Sequence, residues 1–159
     1  MPYLFAVDRS LGSLAKWLRI LGFDAVYQAE ASDREFFDRL ENDRVLITRT
    51  QKIHKAFATH HHVFITSNGV VDQLKQVVNF LGIKPDDIRP LSRCLHCNLP
   101  IEEVSKQDIC GLVPDYVWEN HDAFNRCDQC KRIYWSGSHT ENCMDMIKQI
   151  FDNMDQSQK

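Results

Sequence analysis

The chain has 159 residues, 43% hydrophobic and 26% charged, which is enough apolar content for a folded core. No run reaches the roughly 18 consecutive apolar residues of a membrane span, so a membrane role is not expected. The formal net charge of −3 excludes a whole-chain basic field; residues 1–90 carry twelve Lys and Arg against eleven Asp and Glu, net +1, and residues 91–159 carry seven against eleven, net −4. Any nucleic-acid contact is therefore expected from local basic stripes, and the acidic second half is a candidate surface for a protein partner.

Residues 4–7 are a short apolar run that predicts a buried strand, and Asp8 ends it. Helical spacing follows at once, with Leu11, Leu14, Leu18 and Leu21 on one stripe. Arg9, Lys16 and Arg19 share a basic sector of the same predicted helix, with Ser10 in position to cap its start and Gly22 its end. A carboxylate at the tip of a strand and beside a helix start stands where open α/β sheets hold their ligands. The same carboxylate would equally serve as a helix cap, and at this point both roles are open.

Strands are predicted over 25–27, 44–48 and 63–66, and helices over 33–42, 51–59 and 70–81. Phe36, Phe37 and Leu40 face inward on the first of these helices; Val70, Leu74, Val77, Val78 and Leu81 do so on the last, which Gly82 ends and Pro85 keeps from resuming. The second strand leads into Thr48-Arg49-Thr50. Strand and helix thus alternate about four times with short connections, the pattern of a parallel sheet covered by helices. The triplet His60-His61-His62 is expected in a solvated loop. A polar, proline-bracketed stretch over 84–90 marks a boundary, giving an α/β domain over 1–90 and a second module over 91–159.

The second module carries Cys94-x-x-Cys97 and Cys127-x-x-Cys130. Two residues between thiolates let both sulfurs reach one tetrahedral ion, so these four cysteines are expected to hold a structural Zn²⁺, with no coordination position left for catalysis. The 29 residues between the pairs exceed the usual ~15–20 and imply an insertion. Cys110 and Cys143 are expected as packed or surface thiols, with His96 and His121 as minor alternative ligands. Unoxidised knuckles and a first segment without the basic start of a secretory signal point to a reducing, cytoplasmic setting. After the second pair, 133–135 is a strand candidate and a last helix carries Met144, Ile147, Ile150 and Phe151 on its apolar face. Tyr134, Trp135 and His139 are candidates for contact with unpaired bases; for Trp135 the favoured role is packing this ribbon against the first domain.

Taken together, the stretch from Val7 to Asp24, the strand Arg44 to Arg49, the knuckles Arg93-Cys94-Leu95-His96-Cys97-Asn98 and Cys127-Asp128-Gln129-Cys130, and the tail Tyr134-Trp135-Ser136-Gly137-Ser138-His139 resemble the signatures of the Mut-seven C-terminal RNase domain family, in the same order. The resemblance implies a PIN-like α/β domain fused to a C-terminal zinc ribbon. It also implies a ribonuclease activity in which acidic residues hold Mg²⁺ or Mn²⁺ at the sheet edge and activate a water for attack on a phosphodiester. Under that resemblance Asp8 is the first acid and Asp33 the second. At the third the sequence departs: the family pattern ends its strand in Thr-Arg-Asp, and Thr50 stands where that acid is expected. Asp24 and Asp72 are the carboxylates left to compensate, and Arg9, Lys16, Arg19, Arg49 and His139 are the expected RNA contacts. Three functions follow: a metal-dependent ribonuclease, an RNA-binding protein with a weakened or inactive site, and a protein-interaction module.

Overall fold

A computed structural model describes residues 3–40 and 43–152 of the chain. The expected alternation is realised as β1 (Leu4–Val7), α1 (Gly12–Ile20), β2 (Asp24–Tyr27), α2 (Asp33–Leu40), β3 (Val45–Thr48), α3 (Gln51–Ala56), β4 (His62–Phe64) and α4 (Val70–Leu81). The four strands form one parallel sheet in the order β2-β1-β3-β4. Parallel strands need crossovers, and helices supply them on both faces, which is why Phe5, Ala6, Val7, Leu46 and Ile47 are buried without alternation. One core layer joins the sheet to α1 and α4 through Leu14, Leu18, Leu74, Val77 and Val78; the other packs Phe36 and Leu40 of α2 on Ala6, Val26 and Leu46. The predicted end of α2 at Asn42 lies outside the described residues.

The start of α1 differs from expectation for an identifiable reason, and its end does not. Helix α1 begins at Gly12 with Leu11 as its capping residue, because the amide and hydroxyl of Ser10 are both engaged by the Asp8 carboxylate. The helix therefore starts too late to include Arg9 in its basic sector. At the other end Gly22 has φ +95°, and a Cβ there would stand 2.3 Å from the Arg89 carbonyl oxygen. Only glycine accepts both the left-handed backbone and the close approach of the connecting segment.

The cysteine module contains β5 (Glu102–Val104), α5 (Asp115–Asn120), β6 (Phe124–Arg126) and β7 (Ile133–Trp135), with the strands in an antiparallel sheet of order β5-β6-β7. The long insertion between the knuckles thus supplies two strands and a helix, and it closes its own small core of Ile109, Val113, Val117 and Phe124. Trp135 packs on that core, not between the two modules as expected. The last helix, α6 (Ser138–Asp152), leaves the ribbon and returns to the first domain, where Ile147 and Ile150 join the core built on α1 and α4. No helix among the described residues is long and apolar enough to cross a membrane.

The histidine triplet is more ordered than a solvated loop. His60 bonds the Arg44 carbonyl oxygen (2.9 Å), and His62, the first residue of β4, lies 2.8 Å from the His54 ring and 2.7 Å from the His60 carbonyl oxygen. Of the three, only His61 is exposed.

Candidate functional site

In a parallel sheet every strand ends at the same edge, and the loops that follow meet there. At this edge β1 ends in Asp8, β2 in Gln28, β3 in Thr48-Arg49-Thr50, and β4 leads to Asn68. Asp8 is fully buried. Its Oδ1 accepts from the Ser10 amide (2.8 Å) and the Ser10 hydroxyl; its Oδ2 accepts from the Thr48 hydroxyl, the Arg49 amide (2.9 Å) and the Thr50 hydroxyl (3.2 Å). Burial alone would push the Asp8 carboxyl up, but the hydroxyls of Ser10 and Thr48 and the amides of Ser10 and Arg49 outweigh it and hold the group below the ordinary carboxylate range. Asp8 is therefore an ionised side chain whose charge is met by five neutral donors. It ties the start of α1 to the end of β3, so it does more than cap its own helix.

The other expected acids stand apart from this cage. Asp33, exposed at the start of α2, accepts from Arg9 (3.1 Å) and from Gln28 (3.2 Å). Gln28 in turn accepts from the Arg9 amide (3.0 Å), so Asp33 is linked to the β1 end through Gln28 and Arg9. Asp72 is exposed in the first turn of α4. Asp24 is excluded as a compensating acid by topology: it begins β2, at the opposite edge of the sheet, where Arg44 (2.7 Å) and Asn98 (2.8 Å) hold it. Burial raises its pKa, and these two partners bring it below the ordinary value.

Hard divalent ions need several oxygen ligands at once. Among the described residues, the sole group of three or more His, Cys, Asp or Glu with mutually close ligand atoms is the four cysteines. Asp8, Asp33 and Asp72 form no such group, and the Asp8 oxygens are already occupied by donors. This arrangement does not fit a Mg²⁺ or Mn²⁺ ion held by carboxylates.

The expected basic contacts divide in the same way. Arg9 is exposed at the edge and paired with Asp33; Arg49 is exposed there and donates to the Asn68 side chain (3.1 Å). Lys16 is exposed on α1 and makes no ion pair among the described residues, and His139 is exposed in the first turn of α6. Arg19 is not available to a phosphate. It is 3% exposed, with Nε on the Ala25 carbonyl oxygen (3.0 Å), Nη1 on the Leu95 carbonyl oxygen (2.8 Å) and Nη2 on Glu30 (2.6 Å). The guanidinium joins α1, the outer strand β2 and the first knuckle.

The four cysteine sulfurs of Cys94, Cys97, Cys127 and Cys130 lie within 4.8 Å of one another. The Cys94–Cys130 separation is 3.7 Å, and a tetrahedral Zn–S bond of ~2.3 Å places sulfurs ~3.8 Å apart. The set fits one such ion. Each knuckle closes through a backbone bond back to its first cysteine carbonyl, from Asn98 (2.9 Å) and from Lys131 (2.9 Å). The second cysteine of each pair is followed by a residue with positive φ, Asn98 at 59° and Lys131 at 64°. Burial raises the Cys94 thiol, but the Tyr134 hydroxyl (3.1 Å) and the amides of Cys97 and His96 outweigh it and pull it down to about 6. The Asn98 side chain reaches the first domain as well, accepting from the Ala25 amide (3.0 Å). Asn98 and Arg19 thereby satisfy both backbone groups of Ala25 on the open side of the edge strand.

Residue-by-residue reading of the sequence did not single out Gln28, Thr48 or Asn98. Gln28 was recoverable as a polar residue following a strand; nothing local announces Thr48, whose partner lies 40 positions away.

The family model described as the Mut7-C RNAse domain matches residues 3–147 of this chain. A search of curated proteins finds no significant match.

Proposed function

The chain belongs to the Mut7-C RNAse domain family, and from that premise we propose that it binds RNA along the carboxyl edge of its parallel sheet, with phosphodiester cleavage weakened or lost. The observation that carries this reading is the cage around Asp8. A carboxylate kept for a metal leaves lone pairs open to it, whereas Asp8 gives its oxygens to Ser10, Thr48, Arg49 and Thr50. Thr50, at the position where the family pattern has an acid, is itself one of the donors. A third carboxylate there would repel Asp8 and favour a cation between them; a hydroxyl bonds Asp8 and removes the need for one. Arg9 and Arg49 remain exposed on this edge, with the geometry to contact phosphate oxygens.

A metal-dependent ribonuclease is the second reading. It is favoured by the family and by Asp8 being ionised at the tip of β1. That reading requires Asp8 and Asp33 to exchange their present donors for Mg²⁺ or Mn²⁺, with Thr50 and Asp72 completing the site.

The experiment compares wild type, Asp8→Asn and Thr50→Asp on end-labelled RNA with Mn²⁺. The expected result is RNA binding that falls steeply with salt, background cleavage by wild type, and Mn²⁺-dependent cleavage gained in Thr50→Asp. Mn²⁺-dependent cleavage by wild type that disappears in Asp8→Asn establishes the second reading in its place. Absence of RNA binding at low salt overturns both.

A further inference from the structure

A further cavity lies outside the sheet edge. It is a cleft of about 670 Å³ between α1 and the zinc ribbon, with Gly12, Ser13 and Lys16 on one wall and His96, Arg132 and Tyr134 on the other. Its volume falls within the range of ligand-binding sites. We infer that this cleft is the path of a single RNA strand, its phosphates met by Lys16 from the α/β domain and Arg132 from the ribbon. The inference rests on the RNA-binding reading and assigns the strand's route.

Charge is the first argument. The chain is acidic, and its second half markedly so, yet among the described residues Glu30 is the only carboxylate lining the cleft. Glu30 is neutralised by its 2.6 Å bond to Arg19. Lys16 and Arg132 are exposed and form no ion pair among the described residues, and His96 adds an exposed imidazole. The ribbon's acids lie elsewhere: on β5 and α5, at Asp122 beyond α5, where it pairs with Lys106, and at Asp128 in the second knuckle, where it pairs with Lys131. A surface with free cations and no free carboxylate, set in a protein of net charge −3, is suited to a polyanion.

Continuity with the sheet edge is the second argument. Tyr27 lines the cleft and donates its hydroxyl to the Arg9 carbonyl oxygen (2.8 Å), so the cleft adjoins the Asp8 edge. Gly12 allows this: a Cβ there would stand 2.8 Å from the Tyr27 hydroxyl. The rings of Tyr27, His96 and Tyr134 line the walls and offer faces for unpaired bases. The opposite wall is held in place by the Arg19 and Asn98 bonds, which fix the first knuckle against β2.

The test measures fluorescence anisotropy of a labelled oligouridine of about 12 nucleotides, within the span of single-strand sites. It uses the zinc-loaded full chain as wild type, as Lys16→Glu/Arg132→Glu, and as Lys148→Glu, a charge reversal on α6 outside the cleft. Both cleft residues are exposed, and zinc content with circular dichroism verifies that each variant is folded. The double variant is expected to bind at least about tenfold more weakly, with the salt slope lowered by about 1.4, the value for two single-strand phosphate contacts. Lys148→Glu is expected to bind within about twofold of wild type, the size of a remote charge effect across screening salt. Unchanged binding in the double variant overturns the cleft while leaving RNA binding in place. Tighter binding to a duplex of equal length than to the single strand also overturns it. A wild type that binds no RNA at low salt removes the underlying reading and this inference with it.

Discussion

The carboxylate at the sheet edge and the thiols of the ribbon both gather negative charge at one place, and the protein treats them in opposite ways. Asp8 is surrounded by five neutral donors that together match one negative charge. The four sulfurs have a few donors, chiefly the Tyr134 hydroxyl and the Cys97 amide, for a set that becomes tetra-anionic when fully ionised. The difference teaches a way to tell a metal centre from a structural anion: count the donors already present against the charge to be met. Where donors suffice, a cation is superfluous; where they do not, the site is incomplete without one.

The sharpest way to break this contrast is at the thiols. Removing the metal with a chelator, or replacing Cys94 with serine, is expected to unfold the ribbon, because the free energy of ion binding in such sites is folding free energy of order 10 kcal/mol. Elemental analysis should return one zinc per chain, and a two-dimensional NMR spectrum should lose dispersion for β5, β6 and β7. The signals of β1 and β3 should persist, since the buried residues of their core come from the sheet, α1, α2, α4, α6 and the segments flanking them, and the first knuckle adds only Leu95 at its margin. A metal-free protein with the ribbon intact would contradict the count.

Asp8 comes next in size. Asp8→Ala would leave the Thr48 hydroxyl proton and the Arg49 amide without an acceptor, and about 3 kcal/mol of stability should be lost in urea titrations of the zinc-loaded protein without added Mg²⁺ or Mn²⁺. A carboxylate kept for metal binding predicts the reverse sign, because groups held for function commonly burden stability. Acid sharpens the point. Asp8 is more acidic folded than its ordinary value of 3.8, so the folded state binds fewer protons through this group. Its contribution is complete above pH about 4 and is lost as pH falls from there through the lower, folded value. Asp8→Asn should therefore flatten the acid side of the stability profile; zinc release is common to both proteins and cancels in the difference.

What the sequence disclosed follows the range over which each feature is encoded. Leu11, Leu14 and Leu18 repeat within a single helix, and Cys94 and Cys97 within a single loop, so local spacing was sufficient to predict the α/β domain and the sulfur cluster. The Asp8 cage joins residues 2 and 40 to 42 positions away, and no periodicity links Ser10 to Thr48. Arg19 misled for a related reason. Its place on the helix suggested a basic stripe, but its partners Glu30, Ala25 and Leu95 come from three other segments, and they turn the side chain inward. The C-terminal helix was recognised by its apolar face, yet a face does not name its partner: Ile147 and Ile150 pack on the first domain across the whole length of the ribbon.

The smallest expected effect on stability is at Arg9, and its smallness is what makes it informative. The Arg9–Asp33 pair is 64% exposed on both sides, and exposed pairs of this kind contribute about 0–1 kcal/mol. Arg9→Ala should leave the melting temperature essentially unchanged, in contrast to Asp8→Ala one residue earlier. If RNA runs along the sheet edge, the same substitution should weaken RNA binding several-fold and lower the salt slope by about 0.7, one single-strand phosphate contact. Neighbouring residues would then separate cleanly, with Asp8 serving the fold and Arg9 the ligand. Loss of stability in Arg9→Ala with unchanged RNA affinity would reverse that division and place the edge among the structural features of the sheet.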